Sequence, residues 1–255
     1  MKRIALLAVL CLSVSISGCS MVGPDGESEP EPVAPGLSET GIEDPDALTD
    51  AHGDFLENHS FTVVTTETVI HENGTVLEER RSRTAVASGF SAYETERYDS
   101  TGNESRPDVA LYFDGENGWS ARQTDDGRVV EPFSAESPLS EYVTRSTQTD
   151  SLRPILDSFT TTVSGGTELN GKTLYYVQST DFHNRYGYLG PRQHVSELQH
   201  AEFSGSVDSE GFVHEYRLIQ RGPGNETGET LTVERRVRYT DVDETTVERP
   251  EWAEE

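Results

Sequence analysis

The sequence predicts a mostly β, α+β domain: a curved antiparallel sheet wrapped on a few helices. Three observations predict it. Apolar and polar residues alternate strictly in the last third of the chain. Turn dipeptides of the Asn-Gly and Asp-Gly type recur between β-branched runs. Helical spacing of apolar residues occurs in only three short places.

The alternation is clearest near the end. Leu231, Val233, Val237 and Tyr239 share one face, and Thr230, Thr232, Glu234, Arg236 and Arg238 share the other. Phe212, Tyr216 and Leu218 likewise oppose Glu215, Arg217 and Arg221. One buried and one wet face marks an antiparallel sheet. Earlier strands are expected at 61–70, 76–87, 90–98, 109–113, 160–168 and 173–180. Asn73-Gly74, Asp114-Gly115, Asp126-Gly127 and Asn170-Gly171 supply turns. A long meander with few helices should curl around them to shield its inner face. Helices are expected in three places. The first has Asp44 as cap, Pro45 at its first position and Ala47, Leu48, Ala51, Phe55 and Leu56 on one face. The second has Ser137 and Pro138 ahead of Leu139, Tyr142 and Val143. The third carries Leu152, Ile155, Leu156 and Phe159.

The chain begins as an export signal. Lys2 and Arg3 precede a short apolar run from Ile4 to Ile16, then Ser17-Gly18. The run is shorter than the roughly 20 apolar residues a membrane span needs. Residues 1–18 are therefore read as a cleaved signal peptide. Ile16-Ser17-Gly18-Cys19 resembles a lipobox, which implies a thioether-linked lipid on Cys19. The only other cysteine, Cys11, leaves with the signal, so the mature chain holds no internal disulfide. Residues 19–43 carry the lipidated cysteine and four prolines among acidic residues, with no aromatic. They are expected to be a disordered linker, reaching roughly 25–30 Å. Residues 44–255 form the single β-rich domain. The expected location is the outer face of the cell membrane, held there by lipid.

The formal charge of the 255 residues is −26, and loss of Lys2 and Arg3 leaves the mature chain more acidic still. Such a surface excludes nucleic acid and anionic head groups as direct ligands. Lys172 is the single lysine left after cleavage. Abundant Asp and Glu with scarce lysine resembles the proteins of extreme halophiles, whose dense carboxylates keep a surface hydrated while salt screens their repulsion.

The order of helix, hairpins, an Asp-Gly turn before Trp119, central helices and further hairpins resembles LolA-like and LppX-like lipoprotein carriers. That resemblance covers about 44–252 and implies a half-barrel sheet with helices in its mouth. A LolA-type carrier is a free shuttle, whereas this chain carries a tether. The run from Tyr239-Thr-Asp-Val-Asp to Arg249-Pro-Glu-Trp252 is similar to haloarchaeal surface lipoproteins of unknown function. An apolar ligand such as a lipid would then be lined by Phe61, Val63, Leu111, Phe113, Trp119, Leu174, Tyr176, Phe212, Tyr216 and Leu218. A solid core without a cavity is the other reading of the same residues. The alternative function is a structural or signalling role through a protein partner in the envelope.

Signatures of catalysis are missing. There is no Gly-x-Ser-x-Gly elbow, no phosphate-binding glycine loop and no His-Glu-x-x-His, so no enzyme and no cofactor is expected. His183, His194 and His200 lie near Asp181 and Glu197 in sequence, but their spacing fits no metal site, and solvated polar residues are the better reading. Asn58, Asn73, Asn103 and Asn225, four of the seven asparagines, stand in Asn-x-Ser/Thr acceptor sequons at expected turns or element ends. Tyr186 and Tyr188 sit in a glycine-flanked loop, where they either meet a ligand or tuck against the sheet.

Overall fold

The computed structural model describes residues 30–99, 107–133, 149–169, 171–183, 194–225 and 228–254. The signal, Cys19, Asn103, Asn170, the helix expected around 137–143 and the Tyr186/Tyr188 loop lie outside the described residues.

The described chain opens with a small hairpin, β1 (Pro32–Ala34) and β2 (Leu37–Ser38), followed by α1 (Pro45–Asn58). Residues 30–43 are thus part of the folded domain, which corrects the boundary expected at 44. Acidic and proline-rich composition argued for a linker, but a few well-placed apolar side chains outweigh it. Ala34 and Leu37 are buried in the main core, with Val33 and Ile42 packed on it. Thr161 Oγ1 accepts the Ile42 amide at 2.8 Å and pins the segment to the sheet. Gly36 turns the hairpin at φ +69°, and a Cβ there would stand 2.1 Å from the Asp44 carbonyl, so no other residue fits.

Helix α1 starts as its sequence dictates. Asp44 accepts from the Ala47 amide at 3.0 Å, Pro45 occupies the first turn, and Asp46 favours the positive end of the helix dipole. Leu48, His52 and Leu56, spaced by four, form its buried stripe. The buried histidine was not among the expected core positions. The second described helix, α2 (Thr149–Leu156), inserts Leu152, Ile155 and Leu156. An Arg153–Asp46 ion pair links the two helices.

Eleven strands form one antiparallel sheet: β3 (Phe61–His71), β4 (Val76–Val86), β5 (Tyr93–Asp99), β6 (Val109–Phe113), β7 (Gly118–Thr124), β8 (Gly127–Phe133), β9 (Phe159–Leu169), β10 (Lys172–Phe182), β11 (His200–Asp208), β12 (Val213–Pro223) and β13 (Thr230–Thr240). Their order is β8-β7-β6-β5-β4-β3-β13-β12-β11-β10-β9. The fold class is therefore the expected one, a large curved antiparallel sheet with few helices. It consists of two meanders rather than one. They join where the last strand pairs with the first, from Thr240 opposite Thr62 to Leu231 opposite His71. The Asn73-Gly74 turn forms as expected: Asn73 Oδ1 accepts from the Thr75 amide, and Gly74 takes φ +88°.

Register divides the sheet into two faces. The inner face carries the main apolar cluster, which includes Phe61, Val63, Val86, Tyr93, Phe113, Phe203, Tyr216, Leu218, Val237 and Tyr239, together with the buried residues of α1, α2 and β1–β2. Each such large side chain contributes about 2–3 kcal/mol when taken from water. The outer face is wet and charged. Arg217 grips Glu234 with two bonds of 2.7 Å, and Arg238 reaches Glu215 at 3.0 Å across neighbouring strands.

The C-terminal segment straps the outer face. Asp241 and Asp243 take left-handed φ of 52° and 61° and lead the chain off β13. The Asp243 amide then donates to the Ser60 carbonyl, and Thr245 meets Thr62 at 3.0 Å. Farther on, the Arg249 guanidinium lies 4.3 Å over Trp119, and Arg128 lies 5.0 Å over the Trp252 ring. The strap follows a single register row, since Thr62, Ala85, Glu94, Tyr112 and Trp119 are successive cross-strand partners.

Candidate ligand-binding face

The ten side chains expected to line an apolar site divide three ways. Phe61, Val63, Phe113, Phe212, Tyr216 and Leu218 belong to one buried cluster, and Leu111 packs at its margin. Leu174 faces a separate pocket of about 140 Å³ beside Phe55, Phe212 and Lys172. Trp119 and Tyr176 do not share the inner face, and the expectation is corrected for both. Trp119 pairs with Tyr112 under the C-terminal strap. Tyr176 is 44% exposed and borders an outer groove of about 330 Å³ with Ser204, Ser206, Arg236 and Arg238. Strand parity decides this. Phe113 and Tyr112 are adjacent residues, so they point to opposite sides, and Trp119 goes with Tyr112.

Below the apolar cluster the inner face turns polar. On β3 the inward positions read Phe61, Val63, Thr65, Glu67, Val69, and on β13 they read Tyr239, Val237, Arg235, Val233, Leu231. Glu67 and Arg235 stand opposite each other. Arg235 Nε and Nη2 donate to Glu67 Oε2 at 3.1 and 2.6 Å. Arg80 is the partner of Glu67 on β4, and Asp99 the partner of Arg80 on β5. A second, smaller apolar cluster of Val69, Val195, Leu231 and Val233 closes the far side. The polar band is therefore sandwiched between two apolar clusters.

Four buried polar atoms of this band lack any hydrogen-bond partner: Tyr216 Oη, Thr65 Oγ1, His194 Nε2 and Asp99 Oδ1. They are spread over the strands on either side of the Glu67–Arg235 pair, from Tyr216 on β12 to Asp99 on β5. Tyr216 and Thr65 flank Val237 on either side, since both are its register partners. His194 Nε2 lies 3.9 Å from Glu67 and its Nδ1 3.8 Å from Glu78, both beyond hydrogen-bond reach. Asp99 Oδ1 is 3.5 Å from Arg80 Nε. Burial pushes the Tyr216 phenol far above its ordinary range, although Arg235 works the other way, so the hydroxyl keeps its proton. A buried polar atom without a partner costs about 1–3 kcal/mol. Native proteins meet that cost with ordered water or a ligand.

The fifth such atom is His52 Nε2, elsewhere in the core. The Val213 amide donates to His52 Nδ1 at 3.2 Å, so the ring proton sits on Nε2. Burial first, and then His214, hold the His52 pKa down to about 3 against the pull of Asp208.

The three histidines weighed for a metal are dispersed. His183 bonds the Asp157 carbonyl at 2.9 Å, His200 bonds Glu202 at 2.9 Å, and His194 joins the polar band. No group of three or more His, Cys, Asp or Glu side chains is gathered for a metal among the described residues. Asn58, Asn73 and Asn225 are exposed, at the end of α1, in the β3–β4 turn and after β12. Sequence reasoning passed over Thr65, Glu67 and Arg235. Their signal was present, because polar residues at inward parity between apolar ones mark a buried polar site.

No family model matches this chain, and no curated relative matches it either. Similar solved structures include the lipoprotein LppX of Mycobacterium tuberculosis, at 10% identity and a TM-score of 0.41, covering 79% of this chain and 97% of that one. They also include LprF of Mycobacterium bovis, at 10% identity and 0.41, covering 84% and 99%. A third is a LolA superfamily protein of Nitrosomonas europaea, at 9% identity and 0.29, covering 82% and 96%. The architecture stands on the strand order and register described above, independently of these likenesses.

Proposed function

We propose that this chain is a membrane-anchored extracytoplasmic lipoprotein of a halophilic archaeon that binds an apolar ligand such as a lipid against the inner face of its sheet, without catalysing a reaction. What carries the binding reading is the continuous apolar surface on that face. Its margin, at Leu111, Phe133, Val163, Tyr175 and Phe182, is only partly buried. The anchor rests on the export signal and the Cys19 lipobox. The halophilic reading rests on the charge of −26 and the scarcity of lysine. Glycans on Asn58, Asn73, Asn103 or Asn225 belong to the same proposal.

The anchor is tested by fractionating cells that express Cys19→Ser, which should release the protein into the medium. Retention in the membrane would remove that part of the reading. Binding is tested by titrating the purified protein in molar salt with N-phenylnaphthylamine, whose fluorescence rises in an apolar site. No rise at any protein concentration would exclude a lipid-sized apolar site. The second reading, a structural or signalling protein with a partner in the envelope, is favoured by the outer groove beside the exposed Tyr176 ring.

A further inference from the structure

We propose that the polar band of the inner face is a subsite for a neutral, hydroxyl-rich head group, a sugar or polyol, carried by an amphipathic ligand. This rests on the apolar-ligand reading and names the other end of the molecule. Tyr216 Oη, Thr65 Oγ1, His194 Nε2 and Asp99 Oδ1 are buried and make no hydrogen bond, Asp99 Oδ1 meeting only the Arg80 guanidinium at 3.5 Å. Tyrosine and threonine hydroxyls donate and accept, the carboxylate oxygen only accepts, and the imidazole nitrogen does either by tautomer. A ligand that satisfies all four must offer donors and acceptors at several points, which is the property of vicinal hydroxyls.

Charge selects against the alternatives. The charged groups facing the band are Glu67, Glu78 and Asp99 against Arg80, Arg235 and Arg97, the last being the register partner of Ser82 and so on the face of Thr65; Arg80 holds Glu78 and Arg235 holds Glu67. Three carboxylates stand against three guanidiniums, so the balanced charge of the band gives an anionic head no net advantage. A cationic head such as a quaternary ammonium offers no hydrogen-bond donor to Asp99 and no acceptor to the Tyr216 hydroxyl. The tail has a path as well. Leu218 is the register partner of Arg235, and Phe203 that of Leu218, so apolar side chains continue directly from the band.

The test uses the mature chain in molar salt and three amphiphiles with one tail: octyl glucoside, octyl sulfate and octyltrimethylammonium, each below its micelle concentration. Each competes against bound N-phenylnaphthylamine. Octyl glucoside should bind about tenfold tighter than the other two, the size of one or two buried hydrogen bonds. Thr65→Val should abolish that preference while leaving the naphthylamine probe bound, which also shows that the variant folds, and Tyr216→Phe should abolish the preference as well. Equal binding of the three amphiphiles, or preference for a charged one, would overturn the head-group subsite and leave the apolar site standing. Failure of the naphthylamine probe itself would overturn the apolar reading and the subsite with it.

Discussion

Arg235 and Glu67 face each other across the junction of the last strand with the first, joined by bonds of 3.1 and 2.6 Å on the inner side of the sheet. This pair joins the two halves of the molecule, because β3 opens one meander and β13 closes the other.

Removing one partner should expose the cost of the other. Glu67 and Arg235 side chains are 14% and 31% exposed, so Arg235 would be left largely desolvated and unpaired in Glu67→Ala. The expected loss is about 2–3 kcal/mol, below the full cost of a deeply buried pair because Arg235 keeps some contact with water. Denaturant unfolding in molar salt measures it. The double variant Glu67→Met with Arg235→Leu should recover most of the loss, and no recovery would mean that the strands, rather than the charges, were disturbed.

Hydroxyls without partners can be deleted cheaply. In ligand-free protein, Tyr216→Phe and Thr65→Val should keep or raise stability, by up to about 1 kcal/mol each, since each deletes an unsatisfied polar atom. Thermal unfolding of the two variants reads this directly. A clear drop for either would mean that its hydroxyl has a partner in the folded protein.

Acid should act through His52. Its folded pKa of about 3 lies below the ordinary histidine value, so between pH 6.5 and 3 the unfolded chain binds a proton that the folded one refuses. Stability should therefore fall with decreasing pH across that window, by at most about 1.4 kcal/mol per unit from this group, and the contribution should level off near pH 3. The slope of unfolding free energy between pH 6.5 and 4.5 measures it. In His52→Phe that slope should flatten, at the cost of leaving the Val213 amide without its acceptor.

The strap should hold Trp119 in place. With its guanidinium 4.3 Å over the ring, Arg249→Ala should cost about 1 kcal/mol and leave the indole more solvated. Tryptophan fluorescence should shift to the red without loss of the sheet signal in circular dichroism. An unshifted spectrum would show that the strap does not cover the ring.

Much of this fold can be read from local pattern. The cap at Asp44, the proline at 45 and the four-residue spacing of Leu48 and Leu56 mark α1, and alternation with Asn-Gly turns marks most strands. Features set by long-range contact are not legible in this way. The β3–β13 pairing joins residues some 170 positions apart, and no local signal announces it. Residues 30–43 look like linker because composition averages over Ala34, Leu37 and Ile42, whose burial depends on a core built elsewhere. Hydrophobicity alone puts Trp119 and Tyr176 with the lining residues, whereas parity with Phe113 sets Trp119 on the other side. Parity also pointed Glu67 and Arg235 inward, and that inference needed only the same alternation.

Above all, we propose that the inner face holds an apolar or amphipathic molecule. Native mass spectrometry of the protein extracted from its own membranes in high salt tests it most directly. The expected spectrum contains the lipid-modified chain together with a second, heavier species whose added mass is released on denaturation and extracts as an amphiphile. A single species at the mass of the modified chain, unchanged by denaturation and unable to take up N-phenylnaphthylamine, would contradict it.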